Sequence, residues 1–218
     1  YNFRMLVRAR CDSAIMSGTS KELDNATVSW DSATKIFTFA YGHVMGADSI
    51  IRIGIVRVKC SNDIILPGST AVILYNSYSE DDNILSGNDT ITNVFEDAMG
   101  CHFRSVMVNG RMEKVNNGNV SFSAELEALV RPSRNIEFSG KMNGVSSLGY
   151  TFSSDIKTAL VYESCPWPIE GLISVTVAAA PVNTSSIDFI HSDSCNYLMN
   201  YTIGGTVLKV KKLTRYLI

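Results

Sequence analysis

The sequence predicts an all-β fold, built as antiparallel sandwich-like modules with little helix. Three observations carry that prediction. Apolar and polar residues alternate with period two along most of the chain, which puts apolar side chains on one face of a strand. Turn signals rich in Gly, Asn, Pro and Ser separate the alternating runs. No stretch sustains the 3.6-residue period of a long amphipathic helix.

The elements follow in order. "NFRMLVRAR" (2–10) reads as a first strand, with Phe3, Met5, Val7 and Ala9 on one face and Arg4, Arg8 and Arg10 on the other. "TKIFTFAYG" (34–42) is aromatic and β-branched and ends at Gly42. "SIIRIGIVRVKC" (49–60) sets Ile51, Ile53 and Ile55 against Arg52, Arg57 and Lys59, and "HVMGAD" (43–48) joins the two as a hairpin. "LPGS" (66–69) is a turn, "TAVILYNSY" (70–78) a strand and "SEDDN" (79–83) an acidic loop. In the middle, Asn109-Gly110 and Asn117-Gly118 predict hairpin turns, because both residue types tolerate positive φ. Val120, Phe122, Ala124, Leu126, Ala128 and Val130 alternate, so a segment rich in Ala, Glu and Leu still reads as a strand. Residues 135–145 and 149–164 continue the pattern. A closing meander spans 171–179, 185–191, 196–204 and 206–213. The division expected is an N-terminal β-module region over 1–150 and a C-terminal β-meander module over 151–218. The boundary should fall near 145–166, where Gly, Ser and Pro cluster.

Composition narrows the function classes. The chain has 218 residues, 45% hydrophobic and 18% charged, which suits a buried core and not a disordered chain. Nineteen basic residues against 21 acidic ones, a net charge of −2, give no basic stripe for nucleic acid. No apolar run approaches the ~20 residues of a membrane span. The chain starts at Tyr1 and not Met, so it reads as a processed form, and a missing leader does not argue against export.

The five cysteines form no Cys-x-x-Cys pair, and His43, His102 and His191 lack zinc-site spacing, so neither a metal nor a cofactor is expected. Disulfides are the better reading. Cys165 precedes the closing meander and Cys195 sits in a turn within it, so they are the expected pair, with Trp167 packed beside them. An odd count leaves at least one thiol free or paired between chains. No nucleophile elbow, zinc-protease helix or phosphate loop is present. Cys101 and His102 are adjacent, and neighbours on a strand point to opposite faces, so they make a poor dyad. Tyr75 and Tyr78, beside the acidic loop, and Tyr197 and Tyr201, at even spacing, are candidate ligand-binding aromatics.

Several short pieces, in this order, resemble a group of secreted or surface lipoproteins of the Bacteroidetes, mostly without assigned function. They are "KIFTFAYG", "IIRIGIVRV", "LPGSTAVILYNSY", "LSGNDTITNV", "CPWPIEGLISV" and "IDFIHSDSCNYLMNYTIGGT". The likeness covers most of residues 11–212. It departs where that group has Asp-Phe-Gly: this chain has Phe-Ala-Tyr-Gly and Asp-Phe-Ile. The resemblance implies an extracellular or outer-membrane-surface address, with a lipid anchor on the precursor. It implies no reaction.

The function expected is therefore a non-catalytic, exported surface protein with a binding or accessory role. Its partner would be a protein, a second copy of the chain or a carbohydrate. The alternative is a structural subunit of a surface filament or assembly, with Phe3, Met5 and Val7 in a donated first strand. A third reading, a secreted hydrolase, rests on fold analogy alone.

Overall fold

The computed structural model describes residues 1–114, 118–178, 184–190, 195 and 198–211. Two helices come first, α1 (Asn2–Arg10) and α2 (Ser13–Met16). Strands then follow one another: β1 (Lys21–Leu23), β2 (Ala26–Asp31), β3 (Ile36–Met45), β4 (Ile51–Cys60), β5 (Thr70–Glu80), β6 (Asn83–Asp97) and β7 (Gly100–Lys114). The remainder are β8 (Gly118–Val130), β9 (Ile136–Val145), β10 (Thr151–Tyr162), β11 (Glu170–Val177), β12 (Thr184–Phe189), β13 (Leu198–Ile203) and β14 (Thr206–Lys211). The all-β class holds. All fourteen strands pair antiparallel in chain order, in one sheet.

Residues 2–10 correct the expected first strand: they are helical. Leu6 breaks the period-two reading, because alternation would put it among the arginines. On a helix, Asn2, Met5, Leu6 and Ala9 fall at i, i+3, i+4 and i+7, and all four are buried. Arg, Met, Leu and Ala are good helix formers, and Arg8 and Arg10 stand in the last turn, where the helix dipole favours cations.

The sheet curls around α1. Tyr1 meets Tyr41 of β3, Phe3 meets Phe103 of β7 and Phe138 of β9, and Arg4 stacks on Tyr162 of β10. From β3 to β10 is seven strand spacings, about 34 Å across a flat sheet at 4.7–4.9 Å each. A helix with its side chains is only about 10–12 Å across. One short helix can touch both strands only if the sheet wraps it.

Bulges help this curvature. At β5 an extra residue presses on β4, where a Cβ at Gly54 would lie 2.2 Å from the Ser77 carbonyl oxygen. Asn109-Gly110, expected as a hairpin turn, is instead a bulge within β7. Asn109 spends its tolerance of positive φ (53°) on that bulge. The "SEDDN" loop contracts to a tight turn at Asp81 and Asp82, both at positive φ. On one row of the sheet Gly110, Phe122, Gly144 and Phe152 lie opposite each other in turn. A Cβ at Gly110 would come 2.7 Å from the Phe122 ring, and one at Gly144 2.7 Å from the Phe152 ring. Glycine leaves the space that each phenylalanine fills.

Among the described residues the interior has two apolar clusters. The first gathers Phe3, Met5, Leu6 and Ala9 with residues of β2 to β9. The second joins Leu160, Ile187, Phe189 and Met199. Phe138 and Tyr162 pack against both. The second cluster's buried members all lie beyond residue 150, while backbone pairing runs on through β9 and β10.

Candidate functional site

The curled sheet leaves α1 uncovered along one side, and a cleft of ≈ 690 Å³ opens there. The helix supplies Arg4, Val7 and Arg8 to its floor. Its walls are the turns of the hairpins β3–β4 (Ala47, Asp48), β8–β9 (Ser133 to Asn135) and β10–β11 (Glu163, Ser164, Pro166).

A buried ion cluster holds the β3–β4 wall. Arg52, 1% exposed, donates from Nη1 and Nη2 to the two carboxylate oxygens of Asp48, at 2.8 and 2.6 Å. Its Nε reaches Glu80 Oε1 at 3.2 Å, and that oxygen also accepts the Tyr78 hydroxyl at 2.6 Å. The guanidinium lies 3.4 Å from the centroid of the Tyr1 ring. Burial works against the charge on Arg52, but Asp48 and Glu80 outweigh it and hold its pKa above the ordinary value. The Tyr1 hydroxyl in turn donates to Asp24 at 2.7 Å, and the Ala47 amide donates to the other oxygen of Asp24 at 2.8 Å.

Arg4 ties the opposite wall to the helix. Its guanidinium donates to the carbonyls of Pro166 and Cys165, each at 2.9 Å, and stacks on Tyr162. Burial, opposed by Tyr162, pulls the Arg4 pKa below its usual value, and the neighbouring charge of Arg8 adds to the fall.

The carboxylates around the cleft are already engaged. Asp12 caps α2 and pairs with Lys21, Asp48 pairs with Arg52, and Glu163 accepts from Asn135 at 3.2 Å. Arg8 and Arg134 are exposed, and neither guanidinium has a hydrogen-bond or ion-pair partner among the described residues. The cleft therefore offers two uncommitted guanidiniums beside carboxylates that are satisfied from within.

The residues singled out in the sequence distribute differently. Cys165 and Cys195 are bonded, with Cα atoms 5.4 Å apart, and Trp167 is buried beside Cys165. Tyr78 is wholly buried, and its ring packs on Tyr41 and Tyr75. Tyr75 is half-buried against the first cluster, so neither ring stands as an exposed platform, and burial raises the hydroxyl pKa of both. Tyr201 is half-buried between Ile187 and Leu208 and packs against the second cluster. Tyr197 lies outside the described residues. Phe3 and Met5 are buried in the helix and Val7 is half-buried there, so none of the three is in a strand free to be donated. His102 stacks on Phe95, with ring centroids 4.1 Å apart, while Cys101 packs against the first cluster.

Arg52 escaped the sequence reading because its face was assigned the wrong way. Even-numbered Val56, Val58 and Cys60 are buried and the isoleucines at 51, 53 and 55 only half-buried, so Arg52 points inward. Three core residues in register with one arginine were the available signal. Among the described residues no group of three or more His, Cys, Asp or Glu is placed to hold a metal ion. No helix among them is long and apolar enough to cross a membrane. No family model, no curated protein and no solved structure matches the chain.

Proposed function

We propose that the chain is a non-catalytic, exported surface protein with a binding or accessory role, and that it takes an anionic group into the cleft over α1. The observation that carries the reading is the pair of uncommitted guanidiniums, Arg8 on the floor and Arg134 on one wall, in a cleft whose other two walls are braced by Arg52 and Arg4. Guanidinium forks match carboxylate and sulfate oxygens in charge and geometry. The turns that form the walls are held by internal bonds, so little ordering is left to oppose binding. A structural disulfide agrees with an oxidising compartment. The resemblance to surface lipoproteins points to the same address.

Calorimetric titration with a sulfated oligosaccharide and with an acidic peptide tests this. At least one should bind, more weakly as salt rises. Arg8→Ala and Arg134→Ala should each weaken binding about tenfold or more, from loss of a charged hydrogen bond worth about 1.5–3 kcal/mol. Failure of both probes, or a double variant that binds as the parent does, would sink the proposal.

A further inference from the structure

Three thiols stand outside the Cys165–Cys195 bond: Cys11, Cys60 and Cys101. Two of them converge. Cys11 is the C-cap of α1, is exposed, and lines the cleft together with Ile136. Cys101 is at the start of β7, partly buried against the first cluster. Cys101 lies opposite Val130, and Val130 opposite Ile136, so two strand spacings (about 10 Å) separate Cys101 from a residue on the same cleft as Cys11.

The path of the helix brings them closer. Phe3 rests on Phe103 and Phe138, each two residues along its strand from Cys101 or Ile136. From there α1 runs toward the β4–β5 loop, where Arg10 pairs with Asp63 through both carboxylate oxygens. That loop is bonded to Asn93, whose side chain donates to the carbonyls of Ile64 and Ile65, and Asn93 lies opposite Phe103. The last turn of α1 thus lies on a loop that is bonded to the strand beside the start of β7. The electrostatics agree: burial raises the Cys101 thiol pKa, and Glu96 and Cys11 raise it further, so Cys101 lies within electrostatic reach of Cys11. Cys60 lies near the same loop but is closed off from the cleft. It is buried at the end of β4, opposite Ala71, and its thiol is pushed up to about 11 by burial and by Asp63.

We propose that Cys11 and Cys101 form a second disulfide by exchange with a small disulfide oxidant, leaving Cys60 as the odd, buried thiol. The exposed Cys11 thiolate attacks the oxidant, forms a mixed disulfide and releases one small thiol. The Cys101 thiolate then attacks the Cys11 sulfur and expels the second small thiol. Two protein thiols are oxidised, and the one oxidant disulfide is reduced to two thiols. The bond needs Cα atoms about 4.4–6.8 Å apart. Cys11, where the helix gives way to a turn, is well placed to close that distance. The product would pin the end of α1 to the sheet at the edge of the cleft.

The test is oxidation of the folded chain with oxidised glutathione, an acid quench, alkylation in denaturant and peptide mapping. Only Cys60 should remain alkylatable, and one linked peptide should hold Cys11 and Cys101. The Cys101→Ser variant should trap glutathione on Cys11, whereas Cys11→Ser should leave Cys101 unmodified. Three thiols still alkylatable, a lasting glutathione adduct on Cys11 of the parent chain, or a link that includes Cys60 would each overturn the proposal.

Discussion

Asp89 and Asp63 show how placement sets the sign of a carboxylate's contribution. Asp89 faces inward from β6, and its described hydrogen-bond partner is the Ser105 hydroxyl, which donates at 2.8 Å. Burial raises its pKa, and the hydrogen bond from Ser105 offsets this only in part. A carboxyl with a raised folded pKa favours the folded state below its unfolded pKa, and that advantage disappears as pH rises through the folded value. At neutral pH the buried charge is a cost. Asp89→Asn keeps an oxygen to accept from Ser105 and removes the charge, so its urea midpoint should exceed that of the parent at pH ~7. The two midpoints should converge at pH ~3, below the ordinary aspartate value of about 3.9. A parent midpoint equal or higher at pH ~7 would contradict this. Asp63 has the opposite sign. Its hydrogen bonds from Arg10 lower the pKa, so its contribution is present above the unfolded value and fades as pH falls through the folded one. Asp63→Asn should lower the midpoint at neutral pH, by a stability loss of no more than about 1 kcal/mol because the pair is partly exposed.

At the scale of elements, α1 decides how the sheet closes. Leu6 is 0% exposed and its neighbour Val7 is half-buried. A strand over these residues would reverse that order, with Val7 inside and Leu6 outside. Leu6→Ala should therefore cost about 2–5 kcal/mol in urea unfolding, the range for a truncated core leucine, and Val7→Ala distinctly less. Equal costs, or a larger one at Val7, would favour the strand. The same pair explains what could be read from the sequence. Long alternation in β3, β5 and β8 and the closing meander were legible, because period two survives wherever one face is buried. The link from Cys165 to Cys195 was legible from its place at the entry and middle of that meander. The helix was hidden, since three arginines mimic a strand's polar face and only Leu6 objects. The burial of Tyr78 and Arg52 was hidden too. Alternation shows that a strand has two faces, but which one meets the core depends on partners distant in sequence. The cleft was illegible for the same reason: Arg8 and Arg134 are brought together only by the curl of eight intervening strands.

At the scale of the whole molecule, one hydrogen-bonded sheet carries two unequal cores. The first is filled by α1 and by strands from β2 to β9, whereas the second has four buried side chains among the described residues. That smaller cluster stands against the entropy of ordering β11 to β14. The Cys165–Cys195 bond supplies the difference. It spans 30 residues of chain, and closing a loop of that length is worth about 3.5 kcal/mol in the chain-entropy account. Arg4 joins this staple to the first core through the carbonyls of Cys165 and Pro166. Loss of the bond should therefore not be felt evenly. With Cys165 and Cys195 both replaced by Ser, amide exchange should accelerate first in β11 to β13, by orders of magnitude. Amides of β3 to β5, paired on both sides and packed on α1, should keep their protection. Exchange that accelerates equally in both regions would mean that the unbroken ladder through β9 and β10 makes one cooperative unit. Exchange confined to the C-terminal strands would mean that side-chain packing, and not backbone pairing, sets the limits of cooperativity in this sheet.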